Sequence, residues 1–222
     1  MTSTESRPAP SVGEMSLFDV IYNCRAMRRI KREPVPEDLL LRLIDAAHQA
    51  PSGSNAQNGR WLVVRDPEQR SKLAALNLKA VQAYAGPASA RPAALPHQDA
   101  EKRARMLAAV TWQADHFAEI PVHIIACLQV ALPLRDTFAA GAGAGGSIWP
   151  GVQNLLLAAR ALGLAAAPTT LGLVDRPAAK AVLALPEDIE PFCIIPVGYP
   201  MGKFGPVTRR PVQEIMRWDR WS

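Results

Sequence analysis

The clearest structural signal in the chain is a helix pattern that leads into a polar loop and then into a strand pattern. Residues 36–50 carry apolar side chains at helical spacing, and a proline and two acidic residues suit the start of that helix. Pro51 and Gly53 end it. An apolar strand pattern follows at 61–64. The sequence therefore predicts that the loop from Ala50 to Trp61, which is rich in Ser, Asn, Gln and Gly, is presented between a helix and a strand.

Further patterns interleave helices with a few apolar strands. Residues 1–15 are polar, so we expect a flexible arm before a single domain at 16–222. The segment 85–98 is rich in Ala, Pro and Gly without a period, which predicts a surface excursion that can act as a lid. An α/β or α+β domain is expected. The other predicted helices begin near residue 16 and span 67–83, 99–119, 147–162 and about 176–184, and the other predicted strands span 122–128 and 192–198.

The composition limits the class of protein. Of the 222 residues, 49% are apolar and 20% are charged, which is ordinary for a globular domain. No uncharged apolar stretch is long enough for a membrane span, and the N-terminus lacks the apolar core of a signal peptide. The three cysteines are an odd number without metal-ligand spacing. Reduced thiols and a cytoplasmic location are therefore expected.

The positive charge has two interpretations. A net charge of +5 keeps nucleic-acid binding as a hypothesis. The charge is concentrated in 25–32 and 209–220, and a compact phosphate site explains this equally well. Taken alone, R-A-M-R-R at 25–29 is typical of a solvated basic face, and T-R-R-P at 208–211 is typical of a basic turn. Taken together, they predict that the two ends of the chain converge on one anion, because arginine pairs grip phosphates.

Two glycine- or proline-containing loops have patterns that resemble ligand-binding elements. G-A-G-A-G-G at 141–146 matches G-x-G-x-x-G, but it does not directly follow a strand and no acidic residue stands about 20 positions on, so we interpret it as a hinge. A-P-T-T-L-G at 167–172 is a proline-led turn whose backbone N–H groups either bind a ligand or belong to a simple connection. The four histidines lack ligand spacing, so no metal site is predicted.

Five elements in this order resemble the FMN-dependent nitroreductase family, and together they extend from about residue 16 to 216. The resemblance implies an α+β fold, a three-layer α-β-α sandwich with a central mixed sheet of about five strands. It also implies a domain-swapped homodimer in which the tail at 200–222 serves dimerisation. The elements are R-A-M-R at 25–28, A-P-S-G-S-N-A-Q-N-G-R-W at 50–61, Q-N-L-L-L-A-A-R-A-L-G-L at 153–164, the turn at 168–171, and R-R-P at 209–211.

The resemblance also implies which residues hold FMN. Arg25 and Arg209 bind the phosphate, with Arg210 as a helper. Arg28 reaches the ribityl chain or the pyrimidine edge near N1 and O2, where a positive charge stabilises the reduced flavin. The turn at 168–171 offers backbone donors to N5 and O4. The full set of expected cofactor-binding residues is Arg25, Ala26, Arg28, Pro51, Ser52, Gly53, Ser54, Asn55, Gln57, Pro168, Thr169, Thr170, Leu171, Arg209 and Arg210.

The chain departs from the family pattern in two places. Ala26 stands where the family usually has a serine that bonds the FMN phosphate, so that contact is lost or replaced. Asn58-Gly59 replaces the usual Pro-Trp after Gln57, which we expect to loosen the loop. The first half of that loop, Pro51 to Asn55, is expected to line the flavin from the partner subunit.

The resemblance implies an enzyme that uses FMN and NADH or NADPH. The nicotinamide would pass hydride to flavin N5, and an electron-poor nitroaromatic or quinone would then take the electrons in a ping-pong reaction. No side chain is required as a general acid. Enone reduction, reductive dehalogenation and flavin destruction are alternatives on the same scaffold, and a non-catalytic flavin-binding protein and a basic nucleic-acid-binding protein are alternatives of another class. The expected partners are a second copy of the chain, NAD(P)H and a small acceptor, with neither nucleic acid nor a membrane.

Overall fold

The computed structural model of the protein describes residues 15–85, 99–130 and 145–221. Most of the predicted arm at 1–15, the lid segment beyond residue 85 and the first part of the hinge at 141–146 lie outside these residues. The helices are α1 (Leu17–Asn23), α2 (Glu37–His48), α3 (Pro67–Ala85), α4 (Ala100–Asp115), α5 (Trp149–Ala161), α6 (Arg176–Val182) and α7 (Val212–Ile215), and the strands are β1 (Gly59–Val64), β2 (Val122–Gln129), β3 (Ala165–Ala166) and β4 (Ile189–Gly198).

The strands form one sheet in the order β1-β2-β4-β3. β1 pairs with β2 from Gly59↔Leu128 to Val64↔His123, and β4 pairs with the other edge of β2. All three strand pairs in the described residues are antiparallel, so the sheet differs from the expected mixed sheet of about five strands. Within the described ranges, β1 and β4 both run antiparallel to β2, and β3 runs antiparallel to β4. β3 was not predicted, since two residues are too few to show a period.

Helices cover both faces of the sheet, which confirms the three-layer α+β architecture. Neighbouring residues of a strand point to opposite faces. Ile124 therefore joins the core cluster that contains buried residues of α2 and α5, whereas Ile125 joins the cluster that contains buried residues of α3 and α6. The central strand β2 is buried at every position except Gln129. This double burial explains why 122–128 is almost continuously apolar in the sequence.

The predicted helices are confirmed with small changes at their ends. Ser16 caps α1, its side chain accepting a hydrogen bond from the Asp19 N–H at 3.2 Å. Gly163 follows α5 with a φ of 72°, as expected for a C-terminal cap. The fourth helix ends at Asp115 and not at 119. A short 3₁₀ turn follows because Phe117 is fully buried there and Pro121 prevents the helix from continuing.

The segment after β4 runs alongside the segment after α1. The Lys31 N–H donates to the Tyr199 carbonyl at 2.8 Å, and the Met201 N–H donates to the Arg29 carbonyl at 3.0 Å. The two ends of the described chain are therefore held together by backbone hydrogen bonds. Among the described residues, no helix has the length and apolar character needed to cross a bilayer.

Candidate functional site

Two cavities adjoin at Pro168, which lines both of them. The larger cavity has a volume of about 390 Å³ and includes Arg25 and Arg209 in its wall. The smaller cavity has a volume of about 180 Å³ and includes Arg28 in its wall. The structure thus brings together all three of these sequence-predicted arginines and the 168–171 turn. Each of the two neighbouring cavities therefore contains at least one arginine in its wall.

The larger cavity combines a cation from each end of the chain. Arg25 comes from the segment after α1 and Arg209 from the segment before α7, and both side chains are exposed. The Val207 N–H donates to the Tyr22 carbonyl at 2.9 Å, which holds these two segments together. No described carboxylate lines the cavity. The Arg209 Nη1 donates to the Thr208 carbonyl at 2.9 Å, and the other N–H groups of both guanidinium groups remain for an anion. Arg210 is exposed and is not part of this wall.

Ala26 lines the same cavity and brings no side-chain donor. Gln153, at the middle of α5, also lines it and supplies an amide that the sequence prediction did not assign to the site. Gln153 is the first residue of the Q-N-L-L-L-A-A motif, and this position could have indicated that it belongs to the site. Cys24 lines the cavity as a neutral thiol, because burial raises the pKa of its Sγ–H, which Arg160 opposes only in part. That thiol donates to the Leu156 carbonyl at 3.5 Å.

The smaller cavity contains a half-buried arginine. Burial lowers the pKa of the Arg28 guanidinium. The group stays cationic at neutral pH because the unperturbed arginine pKa is above 12. No described acidic side chain lines the cavity, so its charge is not neutralised from within. A partly desolvated cation of this kind interacts strongly with a ligand that carries or develops negative charge nearby.

The turn at 168–171 forms another wall of the smaller cavity. Its backbone N–H groups differ in whether they already make a hydrogen bond within the chain. Thr169 is paired with Ile194, donating at 2.8 Å and accepting at 2.9 Å. The Leu171 N–H donates to the Thr169 Oγ1 at 3.2 Å. Of the three amides expected to offer donors, the Thr170 N–H is therefore the one that makes no hydrogen bond within the described chain. We expected all three amides to donate to a ligand, but only the Thr170 N–H is without a partner in the described chain.

Two carboxamides in the smaller cavity were missed from the sequence. Asn77 of α3 and Gln113 of α4 both line it, and both are buried. Asn77 could have been predicted from the sequence, because it stands four residues after Leu73 and four before Val81, within an apolar helical stripe. A polar residue in such a stripe needs a partner or a function. For Gln113 we find no comparable pattern.

The polar loop from Pro51 to Gln57 lies apart from both cavities. Ser52 and Gln57 instead line a small separate cavity of about 20 Å³, together with Trp61 and Ser147. Within one chain, the loop does not meet Arg25 or Arg28. Gly53 to Gln57 are nevertheless exposed and free to meet another molecule.

The loop has a strained backbone and internal hydrogen bonds. Ser54, Asn55 and Gln57 all have a positive φ, at 52°, 53° and 47°. Non-glycine residues adopt this region rarely, and they concentrate at functional sites. Ser52 Oγ accepts from the Gln57 N–H at 2.9 Å, and the Ser147 Oγ accepts from the Gly53 N–H at 3.0 Å. The loop is therefore held in one conformation before any ligand arrives.

Asn58-Gly59, which we expected to loosen the loop, is hydrogen-bonded to the neighbouring strand. The Asn58 side chain donates to the Gln129 carbonyl at 3.1 Å, and Gln129 in turn donates its backbone N–H to the Asn58 carbonyl at 2.8 Å. Gly59 is the first residue of β1 and pairs with Leu128. The dipeptide thus anchors the loop to the sheet, because strand pairing and the side-chain hydrogen bond act at the same point.

Comparison with known proteins identifies the scaffold. A sequence model described as the nitroreductase family matches residues 21–199, which is most of the chain. The chain belongs to the nitroreductase family. That match contains Arg25, Arg28 and the 168–171 turn, and it ends before Arg209.

The relatives and structural neighbours of this chain carry different names. An NADH dehydrogenase of Thermus thermophilus is 30% identical, covering 87% of this chain and 91% of that protein. An iodotyrosine deiodinase of Thermotoga neapolitana is 27% identical, covering 83% of this chain and 88% of that protein. The crystal structure of oxidized iodotyrosine deiodinase bound to FMN and 3-iodo-L-tyrosine has a TM-score of 0.72 at 24% identity, covering 93% of this chain and all of that chain.

Proposed function

We propose that this member of the nitroreductase family binds FMN and passes electrons from NADH or NADPH to an electron-poor acceptor, a nitroaromatic or a quinone, in a ping-pong reaction. The observation that carries the proposal is the pair of cavities that share Pro168 in their walls. Arg25 and Arg209 offer two cations in the larger cavity. In the smaller cavity, Arg28 offers a cation, and the Thr170 N–H, which has no partner among the described residues, offers a donor. This distribution suits a ligand with a phosphate at one end and a polar heteroaromatic ring at the other.

The residues present fit FMN on chemical grounds. The larger cavity has two guanidinium groups and no described carboxylate, so it favours a phosphate. Gln153 supplies a polar side chain in the wall where Ala26 cannot. Arg28 and the Thr170 N–H line the smaller cavity, which can take the polar edge of the ring.

Bound FMN would supply the hydride chemistry, and the protein's part is binding, orientation and electrostatics. Arg28 stabilises negative charge on the ring because burial increases the strength of its electrostatic interactions. The Thr170 N–H orients the ring as a donor from a turn that Ile194 holds in place. No protein side chain is assigned as a general acid, and the proton comes from solvent.

A homodimer would complete the proposed site. The Pro51–Gln57 loop is exposed, pre-formed and remote from the two cavities of its own chain. Large apolar side chains are exposed on α1 and in the C-terminal tail, which is unusual for a surface that faces only water. The exposed residues that support a dimer interface are Leu17, Phe18, Tyr22, Val212, Ile215, Trp218 and Trp221. We propose that the loop of one subunit lines the flavin bound by the other.

Reductive dehalogenation is the second candidate. It is supported by the iodotyrosine deiodinase relative, which is 27% identical over 83% of this chain. Both reactions would use the same cofactor and differ in the acceptor. Release of iodide from 3-iodotyrosine, measured with reduced enzyme and set against the rate of nitroarene reduction, separates them. A cytoplasmic location remains a prediction.

The test of the proposed function is optical. The purified protein should show flavin absorbance or gain it after incubation with FMN, and NADH or NADPH should bleach that absorbance under anaerobic conditions. Addition of a nitroarene or a quinone should restore it over repeated cycles. A protein that stays colourless with excess FMN contradicts the proposal. Bleaching without reoxidation by any acceptor favours a non-catalytic flavin-binding protein, and a salt-dependent shift of nucleic acid without flavin absorbance favours a nucleic-acid-binding one.

A further inference from the structure

A further cavity, which we call the arginine cavity, lies at the end of the sheet where β1 finishes and β2 begins. It has a volume of about 450 Å³ and shares no wall residue with the two cavities of the proposed flavin site. Arginines from three separate segments meet in its wall. They are Arg32 from the segment before α2, Arg65 directly after β1, and Arg70 in the first turn of α3.

Arg70 holds a fixed charge in this wall. Its Nη1 donates to the carbonyls of Ala118 and Ile120 at 2.8 and 2.7 Å, which fixes the guanidinium against the turn before β2. Both partners are neutral, and no carboxylate forms an ion pair with Arg70 in the described chain. Burial lowers the pKa of His123 to about 3, and the charge of Arg70 adds to this shift. The positive field of Arg70 is therefore not compensated, which favours an anion in the adjoining cavity.

The other two arginines are held only by exposed ion pairs. Arg32 pairs with Glu119 at 2.7 Å, and Arg65 pairs with Glu37 at 3.4 Å. All four side chains are at least 39% exposed, and pairs of this kind contribute little free energy. Among the described residues, Glu119 is the one carboxylate in the wall, set against three guanidinium groups. Arg32 and Arg65 can therefore turn to a ligand at small cost.

The rest of the wall is largely apolar. Pro34, Val35, Pro121 and Val122 supply this surface. A cavity of about 450 Å³ falls in the range that takes small organic ligands. Guanidinium groups bind phosphates bidentately and stack on planar aromatic groups. A phosphate that is attached to a compact aromatic body meets both parts of this wall.

We propose that the arginine cavity binds an organic phosphate of the size of a mononucleotide, its phosphate held by Arg32, Arg65 and Arg70 and its body packed on the apolar wall. The site goes beyond the proposed electron-transfer function, because it uses none of the residues expected to hold FMN. Glu119 is a competing anion that the incoming phosphate displaces from Arg32. Its carboxylate therefore limits the affinity.

Calorimetric titration of the FMN-saturated protein tests the site, with adenosine 5′-monophosphate, inorganic phosphate and adenosine as probes. Excess FMN keeps the Arg25–Arg209 cavity filled. The monophosphate should bind at one site per chain, and adenosine at least about tenfold more weakly, because it lacks the charged group that the arginines contact. Added salt should weaken binding of the monophosphate. Inorganic phosphate should bind more weakly than the monophosphate, and equal binding would contradict the role of the apolar wall.

Variants of exposed residues locate the site. Arg32→Ala and Arg65→Ala should each weaken binding of the monophosphate by at least about fivefold, since each removes a charged hydrogen-bond donor, and should leave FMN binding unchanged. Glu119→Gln should strengthen it by about threefold, because the carboxylate no longer competes for Arg32. A gain of affinity cannot come from misfolding. Arg105→Ala is the matched control, since Arg105 is also exposed and paired with a glutamate but lines none of these cavities, and it should change nothing.

Three results would overturn the inference. The wild type could bind none of the probes, or Arg32→Ala, Arg65→Ala and Glu119→Gln could all bind the monophosphate as the wild type does. The monophosphate could also displace FMN, which would place it in the flavin cavities. The proposed electron-transfer function stands in the first two cases, because flavin bleaching by NADH or NADPH does not involve the arginine cavity. A protein that binds no flavin contradicts that function alone, and the same titrations and variants then test the arginine cavity without FMN.

Discussion

The backbone N–H of Val207 donates a hydrogen bond to the carbonyl oxygen of Tyr22 at 2.9 Å. These residues are far apart in the sequence, and their contact brings Arg209 to the cavity that Arg25 lines. A cation pair therefore forms from the two ends of the chain. Because no described carboxylate shares that cavity, the pair is available to a phosphate.

Arg25→Ala and Arg209→Ala should each weaken FMN binding by about 1.5–3 kcal/mol, the usual scale for a hydrogen bond to a charged group. This corresponds to roughly a 10-fold to 150-fold rise in Kd, measured by quenching of flavin fluorescence. Arg42→Ala is the control, since Arg42 is exposed on α2 and lines neither cavity, and it should change Kd little. Unchanged affinity in both variants would show that the phosphate is bound elsewhere.

Arg28→Met should lower the flavin midpoint potential. The half-buried cation favours the reduced, negatively charged ring, and methionine keeps the length of the side chain without the charge. The expected decrease is about 30–60 mV, the two-electron equivalent of the energy of a charged hydrogen bond. The exposed Arg29 provides the comparison, and Arg29→Met should shift the potential far less. Equal shifts in the two variants would indicate a general charge effect and not a specific contact.

His123 should make the stability of the fold sensitive to acid. Burial lowers its pKa to about 3, a nearby Arg70 acts in the same direction, and the hydrogen bond to the Phe117 carbonyl opposes both. The unfolded imidazole titrates near pH 6.5, so the unfolded state binds more protons between these values. This contribution to stability is fully present above about pH 6.5 and is lost as the pH falls towards 3.

Urea unfolding at pH 7 and pH 4.5 measures this effect. The wild type should lose about 2 kcal/mol more between the two pH values than His123→Phe, which keeps an aromatic ring stacked on Phe117 but cannot titrate. His48→Gln, at an exposed position, should behave like the wild type. The idea fails if His123→Phe shows the full wild-type dependence on pH.

Gly198→Ala should destabilise the protein, because an added Cβ would lie 2.5 Å from Ile30 Cγ2 and 3.2 Å from Pro121 Cγ. Ile30 is buried and cannot yield freely. Overpacking of this kind costs about 1–3 kcal/mol, which should lower Tm by several degrees in a calorimetric scan. Gly202→Ala is the control, since its Cβ would meet only Met27 Cε at 3.8 Å. A Tm equal to that of the control would mean that the segment carrying Ile30 moves without cost.

Local patterns sufficed for most of the secondary structure. The buried strand at 122–128, the helix at 36–50 and the cap at Gly163 were all predicted, because apolar periods and glycine positions act over a few residues. The elements that were not predicted correctly are either very short or depend on tertiary packing. The two-residue strand β3 has no period, and the helix predicted to reach 119 ends at Asp115 because Phe117 turns into the core.

The sequence by itself determined the family, the layered α+β arrangement, and the presence of Arg25, Arg28 and the 168–171 turn in one motif set. The convergence of Arg209 on Arg25 was predicted from the sequence. Only the tertiary structure decided that the Thr170 N–H has no partner among the described residues and that Asn77 faces a cavity. The physical reason is that periodicity reflects local burial, whereas hydrogen-bond partners and cavity walls depend on segments distant in sequence. The Ala50–Trp61 loop shows both kinds of information. Its polar composition could be seen in the sequence, whereas its anchoring by Asn58 and its separation from the two cavities are visible only in the folded chain.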